Sequence, residues 1–364
     1  MSGKDANVNK KVLRLFVLML GVGVLVACGS DTQNADPAKT AGAADVSASY
    51  RLLEGSTMGT YYRVQYRQTQ QCAVAQNEVD TLLVAFNQSL STYIPSSEIS
   101  AFNQARSDIW VALSPRFSDV LQAALQIWRE SEGAFDVTIG PLVNLWGFGP
   151  DDVVELPSAE RLRQAAGWVG MQQLQFDWVN GAALKKIDEV YVDLSALAKG
   201  LGVDEVADYL VTSGCDDFMV DIGGEMRTLG NSPSGRLWRI GIERPVPGQR
   251  GLIQKVLAVS GQGVATSGDY RNFRQVGGVR VDHVIDPRSG RPAENRVASV
   301  TVIHPQAQFA DAYATTIMVL GVDRGMALAE RLQLPVLIVE KSTDDTFVER
   351  YTAPMRSYFV APSE

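Results

Sequence analysis

Apolar and polar residues follow one another with the periods of both strands and helices. The segment from Tyr61 to Tyr66 alternates as a strand does, and apolar residues recur at helical spacing from Val79 to Leu90. Ser114 as N-cap and Pro115 at the first position announce a second helix, which Gly133 ends. The same patterns predict helices at 158–166, 198–213, 310–320 and 323–332, and strands at 183–187, 217–222, 237–243, 252–260, 279–285, 297–303, 334–339 and near 347–360.

The order of these elements predicts the class of fold. Several strands between residues 217 and 303 follow one another with only turns between them, whereas a doubly wound parallel sheet would alternate with helices. We therefore expect an α+β fold in which mixed or antiparallel sheets pack against helices. The glycine-rich stretch 133–150 is expected to be a long loop, and the chain has no internal repeat at a fixed period.

The N-terminal region has a pattern of its own. Basic residues between Lys4 and Arg14 precede thirteen mostly apolar residues from Leu15 to Ala27, an arrangement typical of an export signal. The apolar run is shorter than the roughly 20 residues that a membrane-spanning helix needs. Residues 1–27 are therefore predicted to be a signal peptide, and the exported part is expected to be soluble.

The junction after the apolar run reads Leu25-Val26-Ala27-Cys28 and resembles the bacterial lipobox. This resemblance implies that Cys28 carries lipid and becomes the first mature residue, and each buried acyl methylene would add roughly 0.8 kcal/mol of membrane affinity. An apolar core segment with a buried cysteine is the alternative. Gly29 after the cysteine resembles outer-membrane cargo, although sorting between the two membranes stays open. Residues 28–49 are predicted to be a flexible lipidated tether, and 50–364 the folded domain.

Composition and charge narrow the function. The 364 residues are 46% hydrophobic and 20% charged, which is ordinary for globular proteins. With 33 basic and 41 acidic side chains, the net charge of −8 argues against nucleic acid as a partner. Removal of the signal would leave 29 basic and 40 acidic side chains, a net charge of −11. Cys72 and Cys215 then remain; their pairing is left open, and we expect both to be structural because no C-x-x-C spacing indicates a metal site.

Seven short stretches combine glycine with aspartate, serine or threonine at predicted strand or helix ends. Main-chain amides can approach a phosphate at such ends, and carboxylates there can hold a metal ion. Each stretch alone is a weak signal. In chain order they are STMGT (56–60), AFDVTIGPL (134–142), DLSALAKG (193–200), DIGGE (221–225), TSGDY (266–270), HVIDP (283–287) and ADAYAT (310–315).

Together, in this order and at these separations, the stretches resemble the ApbE family of FAD:protein FMN transferases, from about residue 56 to 320. The resemblance implies an α+β enzyme of the bacterial periplasm, often a lipoprotein, that depends on Mg²⁺. It implies transfer of the FMN half of FAD to a threonine or serine hydroxyl of another protein, with release of AMP. By the family's pattern the acceptors are subunits of membrane redox complexes, so we expect a lipid-anchored enzyme on the periplasmic face of a membrane.

The resemblance also implies three protein ligands for Mg²⁺. Asp311 and Thr315 lie four residues apart on a predicted helix and so project from one face. The third ligand, a main-chain carbonyl in DLSALAKG, falls on Ala196. Some members carry a second acidic residue where this chain has Ala314. Without the resemblance, Asp311 would be interpreted as a solvated acid that the helix dipole stabilises.

The family's FAD-binding positions have side chains suited to that substrate. Apolar and aromatic groups can cover a ring, carboxylates can accept from ribose or ring donors, and a lysine can neutralise phosphate. Without the resemblance, most of the apolar positions would be interpreted as core, whereas a lysine beside glycine at a helix start indicates function by itself. The positions are Met58, Tyr93, Ala134, Phe135, Asp136, Asp193, Lys199 and Ile285.

His283 is one of two histidines and matches the family's candidate catalytic base. A histidine suits proton transfer from an attacking hydroxyl because its pKa lies near the working pH. The alternative is a structural histidine that fixes the turn at Asp286-Pro287. His304 is expected at the surface, and Asp269 either lines the same cavity or caps a turn.

Two rival functions stay open at this point. An FAD pyrophosphatase would use the same metal with water as the attacking group and release FMN and AMP. A noncatalytic lipoprotein that stores or delivers FAD would need the binding site alone.

Overall fold

The computed structural model describes residues 49–150, 153, 155–246, 251–269, 273–276, 279–342 and 346–360. The predicted signal peptide, the predicted lipidation site Cys28 and the predicted tether up to residue 48 lie outside the described residues, as does Tyr270 of the TSGDY stretch. No helix in the described part of the chain combines the length and the apolar character that crossing a membrane requires. The division into signal, tether and domain therefore stays a prediction.

Within the described residues the chain forms eight α-helices, two 3₁₀ helices and 17 strands. The helices are α1 (Gln76–Leu90), α2 (Glu98–Gln104), α3 (Pro115–Glu130), α4 (Gly140–Leu145), α5 (Ala159–Ala166), α6 (Ala198–Thr212), α7 (Ala307–Leu320) and α8 (Val322–Arg331), with 3₁₀ turns at Met171–Gln173 and Ala353–Tyr358. The strands are β1 (Tyr50–Thr57), β2 (Thr60–Arg67), β3 (Val111–Ala112), β4 (Leu174–Asp177), β5 (Ala182–Lys185), β6 (Phe218–Ile222), β7 (Glu225–Leu229), β8 (Trp238–Glu243), β9 (Ile253–Val259), β10 (Gln262–Gly268), β11 (Phe273–Val276), β12 (Val279–Asp282), β13 (Ile285–Asp286), β14 (Arg291–Pro292), β15 (Val297–His304), β16 (Val336–Lys341) and β17 (Phe347–Tyr351).

Eight strands form the main sheet in the order β1-β2-β6-β7-β10-β15-β16-β17, and every neighbouring pair is antiparallel. Smaller antiparallel units are β3-β5-β4, β8-β9, β11-β12 and β13-β14. Residues 297–303 of β15 are all buried, so both faces of the sheet are covered there. The predicted α+β class with antiparallel sheets is confirmed.

Helices α6 and α7 pack so closely that glycine is required between them. A Cβ on Gly200 of α6 would lie 2.3 Å from the carbonyl oxygen of Ala307, at the start of α7. Asp204, one turn further along α6, accepts hydrogen bonds from the N–H groups of Ala307 and Gln308, each at 2.9 Å. Because a helix start has unpaired N–H groups, this carboxylate caps α7 and fixes it against α6.

Several predicted elements differ from the structure. The expected loop 133–150 contains α4, because Pro141 is tolerated in a first helical turn and Leu142 is fully buried. The strand predicted near 347–360 ends at Tyr351 and is followed by a 3₁₀ helix with a buried Met355. The strand predicted over 279–285 is interrupted after Asp282, and Ile285 begins the separate strand β13.

The two cysteines form a disulfide bond. Cys72 and Cys215 are both buried, their Cα atoms are 4.9 Å apart, and 143 residues separate them in sequence. The bond joins the segment that precedes α1 to the segment that follows α6, which decides a pairing that the sequence left open.

Candidate active site

Lys199 lies in the first turn of α6 and contacts two buried carboxylates. Its Nζ is 2.9 Å from Oε1 of Glu225 and 3.6 Å from Oδ2 of Asp311. The N–H of Gly200 donates to the same Asp311 oxygen at 3.1 Å. Glu225 and Asp311 are 4% and 2% exposed, whereas about a third of the lysine side chain, 32%, reaches solvent. The segments 193–200 and 311–315 therefore meet, and Glu225 joins them.

The charges in this cluster do not balance. Burial raises the pKa of Asp311 to about 7, an effect that Lys199 opposes and Glu225 reinforces. Although burial by itself lowers it, the carboxylates of Asp311 and Glu225 raise the pKa of Lys199 above its usual range. Two carboxylates face one ammonium group, so the ionised cluster carries one net negative charge. A buried charge of this kind favours a cation as partner.

The oxygen atoms around Asp311 suit Mg²⁺. Thr315 follows Asp311 by one turn of α7, and its hydroxyl lies 3.1 Å from that of Ser267 on β10. Ala196 lies in the turn directly before α6. A hydrogen bond to the Leu194 carbonyl closes this turn. A carboxylate, a hydroxyl and a main-chain carbonyl are hard oxygen donors, and Mg²⁺ usually takes few protein ligands besides phosphate and water. In the part of the chain described, no group of three or more His, Cys, Asp or Glu side chains is arranged to hold a metal ion.

Met58 contacts the same helix from the hairpin between β1 and β2. Its φ of 50° and the φ of 71° at Gly59 are the left-handed values that a two-residue hairpin turn requires. Such values are unfavourable for a residue with a long side chain. The turn brings Met58 onto α6, where its Cε would lie 2.6 Å from a Cβ on Gly202. Met58, a predicted FAD-binding residue, thus packs against α6 at Gly202, three positions after Lys199 in the sequence.

The segment with Ala134, Phe135 and Asp136 is buried beside the main core. One Asp136 oxygen accepts from the N–H of Thr138 at 2.8 Å, and the other accepts from the N–H of Met171 at 3.0 Å. Burial is the main cause that raises the pKa of Asp136. Both carboxylate oxygens of Asp136 accept hydrogen bonds from nearby main-chain N–H groups. Asp136 therefore stabilises this loop and does not present a free carboxylate.

Asp193 and Tyr93 lie close to that loop. The N–H of Asp193 donates to the Val137 carbonyl at 2.7 Å, and its carboxylate accepts from the N–H of Ser195 at 2.8 Å. Tyr93 is 62% exposed in the turn after α1, and its hydroxyl donates to the Phe148 carbonyl at 3.0 Å. Partial burial and the Asp193 carboxylate raise the pKa of Tyr93, which reflects the proximity of the two side chains.

His283 is oriented by its neighbour Asp282. The distance from Nδ1 of His283 to Oδ1 of Asp282 is 3.0 Å, and the imidazole meets the Phe148 ring edge-to-face at 6.3 Å. Phe148 therefore connects His283 to Tyr93. At the turn that His283 was alternatively expected to fix, Arg288 donates two hydrogen bonds of 2.8 Å to the carboxylate of Asp286.

The sequence model of the ApbE family matches residues 58–338. This chain belongs to the ApbE family. The FAD:protein FMN transferase of Vibrio cholerae is 46% identical over 313 residues, which cover 84% of this chain and 92% of that protein. The FAD:protein FMN transferase of Haemophilus influenzae is 38% identical over 312 residues, 84% of this chain and 90% of that protein.

Solved structures of ApbE proteins have the same fold. The flavin transferase ApbE from Vibrio cholerae matches with a TM-score of 0.79 and 43% identity, over 85% of this chain and 99% of that one. The flavinyl transferase ApbE from Pseudomonas stutzeri, in its apo form, matches with a TM-score of 0.77 and 34% identity, over 86% and 98% of the two chains. The family resemblance inferred from the seven stretches is confirmed.

Other residues singled out from the sequence have structural contacts in this ApbE fold. Ile285 is buried in a small apolar cluster with Leu142 and Leu162. Asp269, for which two roles were left open, forms an ion pair with Lys341. Ala314 is fully buried in the main core, at the position where some family members carry an acid.

The expectation of a surface position for His304 is wrong in part. Its ring is partly buried against Phe309 and Tyr313, with ring centroids 5.0 and 6.2 Å away. Burial is the main cause that lowers the pKa of His304. The proline that follows indicated a turn, but the aromatic residues of α7 cover the imidazole.

Three residues that the ApbE fold brings to the site had no role predicted from the sequence. They are Glu225 beside Lys199, Ser267 beside Thr315, and Asp282 beside His283. Two of them stand within the DIGGE and TSGDY stretches, and the third directly precedes HVIDP. An acidic residue next to the candidate base was the one signal that could have identified Asp282 from sequence.

Proposed function

We propose that this protein is an FAD:protein FMN transferase, an enzyme that moves the FMN half of FAD to a hydroxyl group of an acceptor protein. The observation that carries the proposal is the contact of Lys199 with the buried carboxylate of Asp311, in a chain with FAD:protein FMN transferase relatives at up to 46% identity. A lysine can neutralise phosphate as a point charge, and a buried carboxylate can hold a divalent ion. A dinucleotide with a central diphosphate needs both.

Asp311, Thr315 and the carbonyl of Ala196 would hold Mg²⁺. When bound, the ion would offset the negative charge that develops on the diphosphate oxygens. Lys199 binds a phosphate oxygen from the side of α6 and fixes the diphosphate against α7. In phosphoryl transfer such positioning and charge compensation supply most of the catalysis.

His283 is the proposed base. Asp282 orients the imidazole through Nδ1, and the imidazole would take the proton from a threonine or serine hydroxyl of the acceptor. The hydroxyl oxygen then forms a bond to the FMN-side phosphorus while the bond from that phosphorus to the AMP oxygen breaks. AMP leaves, and the acceptor keeps FMN through a phosphoester.

The remaining FAD contacts are proposed from their places around this cluster. Met58 lies over α6 and would cover a ring, and Tyr93 and Asp193 stand together where a ribose or ring donor could be bound. Since the carboxylate of Asp136 is engaged within its loop, the segment 134–136 would contact FAD through main-chain groups. Ile285 is buried in an apolar cluster, and this packing would support the segment that carries His283.

We also propose that the protein is exported, carries lipid on Cys28 and works on the periplasmic face of a membrane. The disulfide between Cys72 and Cys215 supports an oxidising compartment, where such bonds persist. A flexible tether at residues 28–49 would let the domain search the membrane surface for its acceptors, the exposed segments of membrane redox subunits.

One incubation tests the proposed reaction. The purified protein is mixed with FAD, Mg²⁺ and the exported segment of a redox-complex subunit, with a parallel sample in EDTA. A flavin-labelled acceptor and free AMP, both dependent on Mg²⁺, are the expected products. Free FMN with AMP and no labelled acceptor would indicate a pyrophosphatase, and intact FAD would indicate a carrier.

A further inference from the structure

Glu225 is a buried residue of the site, and one of its carboxylate oxygens has no hydrogen-bond partner in the described part of the chain. It begins β7 directly after Gly223 and Gly224, whose φ values of 63° and 107° turn the chain sharply there. Its Oε1 binds Lys199 at 2.9 Å, whereas Oε2 is buried and has no hydrogen-bond partner among the described residues. A buried acceptor left unpaired destabilises the folded protein, and more so when it is charged. Such a group indicates a role beyond packing.

Lys199 and a divalent ion would compete for the same carboxylate. The ammonium group stands 3.6 Å from Asp311, a residue whose carboxylate the proposed function gives to Mg²⁺. Lys199 and Asp311 already form an ion pair at 3.6 Å, and the ammonium group would move still closer to Asp311 if Glu225 did not hold it. Breaking a buried pair is costly because one charge is left uncompensated, so the ion would bind Asp311 weakly.

We propose that Glu225 is a positioning residue that draws the ammonium group of Lys199 toward itself, keeps its ion pair with Asp311 long and so leaves Asp311 available to a divalent cation. This inference rests on the proposed function, which places Mg²⁺ on Asp311. The 2.9 Å contact with Glu225 against 3.6 Å to Asp311 is the geometry that such a division of charge requires.

The test is the affinity for Mg²⁺ alone, measured by calorimetry without FAD or acceptor. Glu225→Asp keeps the charge but shortens the side chain, so the carboxylate no longer reaches Lys199. We expect the dissociation constant for Mg²⁺ to rise about tenfold, the factor that corresponds to 1.4 kcal/mol. Glu205→Asp is the matched control, because Glu205 lies on the same helix as Lys199 and also pairs with a cation, Arg116, at 2.6 Å. It should leave Mg²⁺ binding unchanged.

A second substitution separates positioning from a general loss of structure. Lys199→Met in the Glu225→Asp background removes the competing ammonium group and should restore Mg²⁺ affinity to at least the wild-type value. If the double variant binds as weakly as Glu225→Asp, Glu225 acts as a ligand or as structural support and the inference is wrong. Wild-type affinity in Glu225→Asp would also overturn it. Failure of the wild-type protein to bind Mg²⁺ would overturn the proposed metal site together with this inference.

Discussion

Asp311 titrates in a range where a change of pH can switch its affinity for a metal ion. Burial raises its pKa to about 7, well above the usual value of a carboxyl group. Mg²⁺ needs the ionised form and competes with the proton, so affinity is complete at higher pH and falls as the pH drops through about 7. We expect a loss of roughly tenfold for each pH unit below that value.

Calorimetric titration with Mg²⁺ at about pH 6 and about pH 8 measures this dependence. Asp311→Asn keeps the shape of the side chain and removes the titrating group, so it should bind Mg²⁺ weakly at both values. Asp119→Asn, a change of an exposed carboxylate on α3, serves as control and should retain the wild-type profile. Equal wild-type affinities at the two pH values would contradict the role given to Asp311.

His283 gives a second prediction at the scale of one side chain. If it removes the proton from the acceptor hydroxyl, His283→Gln should lower the rate of transfer by about 10²–10⁴, the usual contribution of a general base. The dissociation constant for FAD should change little. Single-turnover transfer and FAD fluorescence titration measure the two quantities separately, with His304→Gln as the control histidine. A selective loss of FAD binding would make His283 a residue that positions the substrate.

The candidate site was predictable where one segment carried its own signal. Lys199 beside Gly200 at a helix start was predictable from its local sequence, whereas Asp311 and Thr315 were assigned through the family resemblance. Glu225 was not predictable, because its importance depends on β7 being placed against the start of α6. That placement is set by the pairing of β6 and β7 in the main sheet, which no local pattern at residues 225–229 announces.

At the scale of elements, the contact between α6 and α7 brings the site together. A Cβ on Gly200 would meet the main-chain oxygen of Ala307 at 2.3 Å, whereas a Cβ on Gly202 would meet the flexible end of Met58 at 2.6 Å. Alanine in place of a helical glycine otherwise stabilises a helix by up to about 1 kcal/mol. We expect Gly200→Ala to destabilise the protein by about 1–3 kcal/mol, as overpacking does.

Gly202→Ala is the matched control for this prediction and should be close to neutral, because the methionine can move. Urea denaturation gives both free energies of unfolding. The added methyl group would push α6 from α7 and move the carbonyl of Ala196, directly before α6, away from Asp311 and Thr315 on α7, so Gly200→Ala should also weaken Mg²⁺ binding. Equal stability of the two variants would show that the helices are not in the close contact described.

Elements with their own start signals were predicted well. The helix that begins after Ser114 has this residue as its N-cap in the structure, as predicted. Strands β7 and β10 were missed because their glycine and polar residues do not alternate in the way an exposed strand does. Both are held by strands on either side in the main sheet, so tertiary pairing decides their conformation.

At the scale of the whole molecule, the α+β class followed from consecutive strands, but their order in the sheet did not. Strand β2 pairs with β6, although helices α1 to α6 and strands β3 to β5 lie between them in the chain. Such long-range pairing depends on burial and on shape complementarity, which short sequence windows do not contain. The same holds for the pairing of the cysteines.

The disulfide between Cys72 and Cys215 links the two ends of the chain segment that lies between β2 and β6. In the chain-entropy view, a bond across 143 residues stabilises the fold by roughly 4–5 kcal/mol, within a measured range of about 0–5 kcal/mol. It anchors the end of α6 opposite to Lys199, so its loss should destabilise the whole domain without changing the charged cluster.

We expect Cys72→Ala with Cys215→Ala to lower the melting temperature by several degrees and to retain FMN transfer at 25 °C. Reductant should lower the wild-type melting temperature to that of the double variant and leave the variant unchanged. A wild-type protein that melts at the same temperature with and without reductant would show that the bond contributes no stability.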